Sequence, residues 1–329
     1  MEVNELLQRY EAGDRDFAEV NLMGASLSRA NLERINFTRA SLAGADLSRS
    51  LLNEANFSEA FLYATNMSFV KLGKSLLIGA DLTKANLRGA FLVKSQLRGA
   101  KLSGAVLMGV NLRSANLSGV NLCGANLSGI NLRSANLTGA NLNWTNLSRA
   151  RLSGAILTAA CLTGSNLSKA HLIEVDLHGM DLNGVNFCEA LLRAANLSTT
   201  NLTAANLSAA TLVEAALQEA TLNGANLKAA LLSQANLSRS MLIRADLSNA
   251  VLHQANLMGA NLNLANLQQA DLSGANLQGA YLWKANLSGA VLDEADFRKA
   301  SLRGATLEGV DWQAANFSGA TMPDGSIHL

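Results

Sequence analysis

Beside 25 Asp and Glu, the side chains of this 329-residue chain best suited to ligate a metal ion or serve as a neutral-pH base or thiol nucleophile are four histidines and three cysteines. The histidines are His171, His178, His253 and His328, and the cysteines are Cys123, Cys161 and Cys188. A metal centre needs three or four ligands converging at about 2.0–2.3 Å from one ion. Nucleophilic catalysis needs a base within hydrogen-bond reach of the attacking group. Here the histidines and cysteines are scattered at unrelated intervals, and the carboxylates form no pair beside a His or a Ser. The glycine-rich phosphate loops GxGxxG and GxxxxGK(S/T) are absent. An odd, dispersed set of cysteines makes no disulfide framework and fits unpaired surface thiols in a reducing cytoplasm. The residues point to a non-enzyme with no catalytic, cofactor-binding or metal-binding site.

The elements that carry these residues are set by a repeat. Every fifth residue from Leu22 to Met322 is Leu, Phe, Met or Trp, without a slip. Two positions before each lies a small residue, as at Ala25, Ala30, Ala40 and Ala45, and the residue between is most often Asn or Asp. The next two are mostly Ser, Thr, Arg, Gly or Lys. A period of five suits neither a helix at 3.6 nor a strand at 2. One small and one large apolar residue per five must face inward, so four such sides close a square coil of 20 residues. Stacked coils pair backbone to backbone at roughly 4.8 Å, which makes about 15 coils on the order of 70 Å long. Leu columns fill the axis and Ala keeps the corners tight. Stability becomes a sum of nearest-neighbour terms. The glycines fall at outward positions, where a turn needs a small residue.

The pattern A-(N/D)-L-x-x, seen in ANLSG (125–129), ANLTG (135–139) and ADLSG (270–274), resembles the pentapeptide-repeat family over about nine-tenths of the chain. The resemblance implies an all-β fold, a right-handed quadrilateral parallel β-helix. A short helix leading into the repeat and an MPDGSIH ending are similar to cyanobacterial members. For these the resemblance implies a regulator linked to cyanobacterial cell differentiation. Other family members protect DNA gyrase by imitating the charge of duplex DNA, which demands a strongly acidic molecule.

Both ends of the stack need covering, because an open sheet edge is a template for pairing. Val3, Leu6, Leu7 and Tyr10 share one helix face, and Gly13 is a helix stop. Residues 1–13 are therefore expected to be an N-terminal capping helix, 14–322 the β-helix and 323–329 a tail. At the far end Trp312, Phe317 and Met322 occupy core positions, and Pro323 with Asp324-Gly325 turns the chain away. No apolar run is long enough for a membrane helix. The acidic start MEVNELLQRYEAGD lacks the basic and apolar parts of a signal peptide. The expected setting is the cytoplasm, with no membrane and no small-molecule substrate.

A net charge of +1 conceals an asymmetry along the chain. Residues 82–173 contain no Asp or Glu and carry +10, against −3 before them and −6 after. With the four sides numbered from residue 20, most of these bases fall on the second and third: Arg88, Lys94, Arg113, Arg133, Arg149, Arg151 and Lys169. A 20-residue coil sets Arg113 under Arg133, Arg149 under Lys169 and Arg151 under His171. Like charges one coil apart repel unless an anion joins them. The third side also replaces Asn/Asp by Leu51, Phe91, Leu191, Leu231, Val251 and Val291, with Ile173 and Val213 one column over. Facing outward, these form an apolar stripe of the kind that marks contact sites. They also suit a plain strand surface. Tyr281, Trp283 and Trp144 are aromatic outliers of the type that anchors contacts.

The candidate partner-binding set is Arg88, Lys94, Arg113, Arg133, Arg149, Arg151, Lys169, His171, Leu191, Val213, Leu231 and Val251. The expected function is a protein-binding scaffold or regulator whose partner offers an acidic surface. The alternatives are nucleic-acid binding through the basic central coils and, against the charge pattern, a gyrase-interacting DNA mimic.

Overall fold

The computed structural model describes all 329 residues, which gather into two compact units, Met1–Ser165 and Asn166–Leu329. Each unit is built from single-residue parallel bridges between residues 20 apart. In the first unit these run Asp16↔Asn36, Asn21↔Ser41, Ser26↔Asp46 and Asn31↔Leu51, four per coil, and continue in that register. The second unit repeats the scheme from Asn166↔Asn186 onward. The coil of four five-residue sides read from the sequence is thus the coil observed.

Most five-residue units meet their backbone needs in the same way. The core residue donates to the next coil, as Leu22 N does to Ser41 O at 2.8 Å, and accepts from three residues on, as Leu22 O does from Ala25 N at 3.1 Å. The second bond closes a turn whose third residue has positive φ, +67° at Gly24 and +61° at Arg29. That is the requirement of a type II turn. Thirty-seven non-glycine residues share the conformation, among them Phe69, Trp144 and Leu264, so the turn imposes φ on the residue and not the reverse. The sequence reading of small outward residues is corrected here: the position demands a left-handed backbone, and glycine is one occupant of it.

The Asn/Asp position is explained by its side chain. Asn36 Oδ1 accepts from Thr38 N at 3.1 Å, satisfying a turn N–H, while Asn36 Nδ2 donates to Asp16 Oδ1 one coil away at 2.8 Å. The same ladder joins Asn66 to Asp46 and Asn196 to Asp176. Other residues often replace it, and four such sides have Lys71, Cys161, Met241 and Tyr281 in its place. In each, the turn N–H two residues on is taken by an asparagine of the preceding coil: Asn53 to Gly73, Asn143 to Thr163, Asn223 to Ile243 and Asn263 to Trp283. Polar residues at the small inward position are also satisfied, as where Ser50 Oγ donates to Leu47 O at 2.6 Å.

Helix α1, Val3–Glu11, packs Leu6 wholly out of solvent, and its Tyr10 hydroxyl donates to Glu33 O at 2.9 Å. Ala12 and Gly13, the latter at φ +101°, end it through bonds to Gln8 O and Tyr10 O. At the other terminus two expectations fail. Trp312 is 39% exposed although it stands in the core register, because the stretch around it makes no bridge; Phe317 is the buried aromatic there. The chain also does not leave at Pro323. Gly325, at φ +91°, reverses it, Ile327 pairs antiparallel with Thr321, and His328 N donates to Ala320 O at 2.9 Å. The His328 ring then packs between Trp312 and Phe317.

Candidate partner-binding face

Six of the seven cations read from the sequence lie in the first unit. Arg113 and Arg133 hold the same position on consecutive coils of the third side. Lys94 follows Val93 at the turn on the coil before, and Arg151 ends the bridged column Asn111↔Asn131↔Arg151. Arg88 and Arg149 stand on the adjoining second side. All six are exposed, and none makes an ion pair or donates a side-chain hydrogen bond within the protein. No carboxylate falls within reach on these coils, since none exists between residues 82 and 165. Lys169 departs from the reading: it lies in the second unit and pairs with Glu189 at 3.3 Å.

The apolar candidates lie in the second unit, in the bridged column His171↔Leu191↔Thr211↔Leu231↔Val251. Leu231 is exposed, whereas Leu191, Val251, Val213 and His171 are half-buried. The stripe is therefore real as a column but broken by Thr211 and partly sunk. A second group of apolar outliers, which includes Tyr281 and Trp283, shares the first side of the second unit. Met241 and Tyr281 share one column of the first side, Ile243 and Trp283 the column two residues over, and Leu264 lies on the coil between. Lys284 Nζ stands 4.7 Å from the Trp283 ring centroid. The signal that would have found this cluster is the 20-residue register applied to apolar outliers.

The structure also shows a concavity that the sequence reading did not expect. On the third side of the first unit an open groove of about 460 Å³ lies over Gly73, floored by Phe91 and Val93 and flanked by Lys94 and Arg113. Glu54 on its rim sits between Arg34 at 3.1 Å and Lys74 at 3.2 Å, and the Lys74 ammonium, with Arg34 second, holds its carboxyl below the ordinary value. The histidines and cysteines stay dispersed: His178 Nδ1 meets only the hydroxyls of Ser198 and Thr199, and no group of three potential ligands forms. No helix is long and apolar enough to cross a membrane.

The family model "Pentapeptide repeats" matches successive segments covering residues 16–113 and 115–324. The chain belongs to the pentapeptide-repeat family. Its architecture is accordingly the right-handed quadrilateral β-helix, and pentapeptide-repeat proteins are, as a class, non-enzymatic repeat scaffolds. Among solved structures it is similar to HetL, a pentapeptide-repeat protein involved in heterocyst differentiation regulation from the cyanobacterium Nostoc sp. strain PCC 7120. The identity is 30% over the whole of both chains, with a TM-score of 0.29. A second Nostoc pentapeptide-repeat protein is 31% identical over 36% of this chain and 80% of its own, with a TM-score of 0.22. QnrB1, a plasmid-mediated fluoroquinolone resistance protein, is 21% identical over 52% of this chain and 89% of its own, with a TM-score of 0.47. No curated protein matches the chain.

Proposed function

We propose that this pentapeptide-repeat protein is a non-enzymatic, cytoplasmic scaffold or regulator that docks an acidic protein surface on the second and third sides of its first unit. One observation carries the reading: Arg88, Lys94, Arg113, Arg133, Arg149 and Arg151 are exposed and make no ion pair, in a stretch from 82 to 165 that contains no acid. Stacking Arg113 on Arg133 without a counter-charge is mildly repulsive. A bound anionic surface removes that repulsion and gains charge complementarity. The column Leu191, Leu231, Val251 with Val213, exposed at Leu231 and half-buried elsewhere, offers apolar contact of its own in the second unit. The similarity to HetL supports a regulatory role in cyanobacterial cell differentiation.

The test is affinity capture from a cyanobacterial cytoplasm with wild type and with Arg113→Glu/Arg133→Glu. Specific partners should vanish with the double reversal, and unchanged capture would remove the basic face from the function. Direct nucleic-acid binding is the second reading, and the same unpaired cations favour it. It requires a gel shift at low salt that fades steeply as salt rises. Absence of a shift at low salt excludes it, and a supercoiling assay disposes of a gyrase-directed role.

A further inference from the structure

The groove over Gly73 exists because one side chain is missing from its column. The residues at this position on successive coils are Glu33, Asn53, Gly73, Val93, Arg113 and Arg133. Nothing in the backbone asks for glycine. Gly73 is the one glycine of the 26 without positive φ. The N–H it offers to Asn53 Oδ1 at 3.0 Å is the bond that Thr163, Ile243 and Trp283 make elsewhere while carrying full side chains. A Cβ at Gly73 would stand 3.1 Å from the Asn53 amide oxygen, which must yield a few tenths of an ångström, and in ordinary contact with the Phe91 ring at 3.5 Å.

What the missing side chain opens is apolar below and cationic above. Phe91, in the column that carries Asn111 and Asn131 on the next two coils, lays its ring beside the notch, with Lys71 Nζ 5.4 Å from the ring centroid. Val93, 8% exposed, completes the floor. The charged lining nets two positive charges. Glu54 is matched by Arg34 and Lys74, and Glu33 accepts from Asn53 Nδ2 at 2.7 Å. Lys94 and Arg113 are the charges left without a partner.

Resting on the docking reading above, we infer that this notch seats one large apolar side chain of an acidic partner segment, while Lys94 and Arg113 hold carboxylates flanking it. An aromatic side chain there would lie offset on Phe91, the arrangement ring pairs prefer. The notch thus supplies the sequence selectivity that a row of exposed cations lacks.

Two fluorescein-labelled synthetic peptides test this by anisotropy at low salt: Asp-Glu-Asp-Phe-Asp-Glu-Asp and the same peptide with Ala in place of Phe. Wild type should bind the Phe peptide at least about tenfold more tightly, within what burying a Phe side chain yields. Gly73→Gln, which fills the notch, should bring the two peptides within about twofold. Phe91→Asn should do the same, and it restores the residue type found at Asn111 and Asn131 in the same column. Lys94→Glu/Arg113→Glu should weaken both peptides about tenfold or more. A Phe preference that survives Gly73→Gln and Phe91→Asn, or is absent from wild type, overturns the notch. Binding of both peptides lost on charge reversal would then leave the basic face standing. If neither peptide binds wild type, the notch and the docking face both fall.

Discussion

Residues 15–81 and residues 82–165 occupy the same lattice in the same unit but treat charge in opposite ways. In the earlier stretch the 20-residue register sets unlike charges over one another: Arg34 over Glu54 and Glu54 over Lys74, and Arg39 between Glu19 and Glu59. In the later stretch the same register sets Arg113 over Arg133, and seven cations from Arg88 to Arg151, Lys101 aside, have no ion-pair partner. The inward Leu column runs through both, but the ladder is complete only in the earlier stretch: in the later one Leu102 N and Leu107 N make no bond to the next coil, and Ala105 and Ala125 are only half-buried. The difference teaches that the coil guarantees neighbours without choosing them. Fold stability resides in the interior, and the exterior is free to be self-neutralised or left open for a partner.

The widest effect should show that the two stretches are equal inside. Leu52→Ala and Leu132→Ala each remove a fully buried core side chain and should cost about 2–5 kcal/mol in denaturant unfolding. A cost confined to one stretch would mean that their interiors differ. Next, Arg113→Glu/Arg133→Glu should weaken an acidic ligand by about tenfold or more. Arg39→Gln should change it by less than about twofold, because that cation is already engaged by Glu19 and Glu59 and lies on the fourth side. Equal effects would erase the distinction. Asn53→Ala removes the side chain that serves the Gly73 N–H and should cost about 0.5–1.5 kcal/mol, measured by the same unfolding assay.

The smallest effect separates the stretches by pH. Glu54 is held below its ordinary 4.5 by Lys74 and then Arg34, and Asp14 below its ordinary 3.8 chiefly by Arg9. Lowered carboxylate values stabilise the fold above those ordinary values and lose that contribution as pH falls through the lowered ones. Hydrogen exchange, corrected for intrinsic rates, should therefore rise in residues 15–81 between about pH 5 and 3 and stay level in 88–165. The second unit offers a control further down. Asp296, drawn to about 2 mainly by its bond to Arg298, should keep its contribution until pH falls from 3.8 toward 2.

Much of this was legible without coordinates. The unbroken series from Leu22 to Met322 dictated a five-residue side, and the apolar pair within it dictated a four-sided coil, because period five fits no other regular element. The gap in acids from 82 to 173 is a fact of composition. Once the coil length is known, so is the stacking of Arg113 under Arg133. Tertiary structure alone decided the rest. Whether Trp312 is core or surface depends on whether its coil makes bridges, and whether the chain after Pro323 departs or returns depends on what Ile327 and His328 find to pair with. That Lys169 is neutralised by Glu189 follows from where two long side chains reach across a coil. The groove at Gly73 is the clearest case. In the sequence Gly73 is one of 26 glycines. Only the backbone angles separate it from those that serve a left-handed turn, and only its neighbours one coil away turn a missing side chain into a space with a floor and a charge.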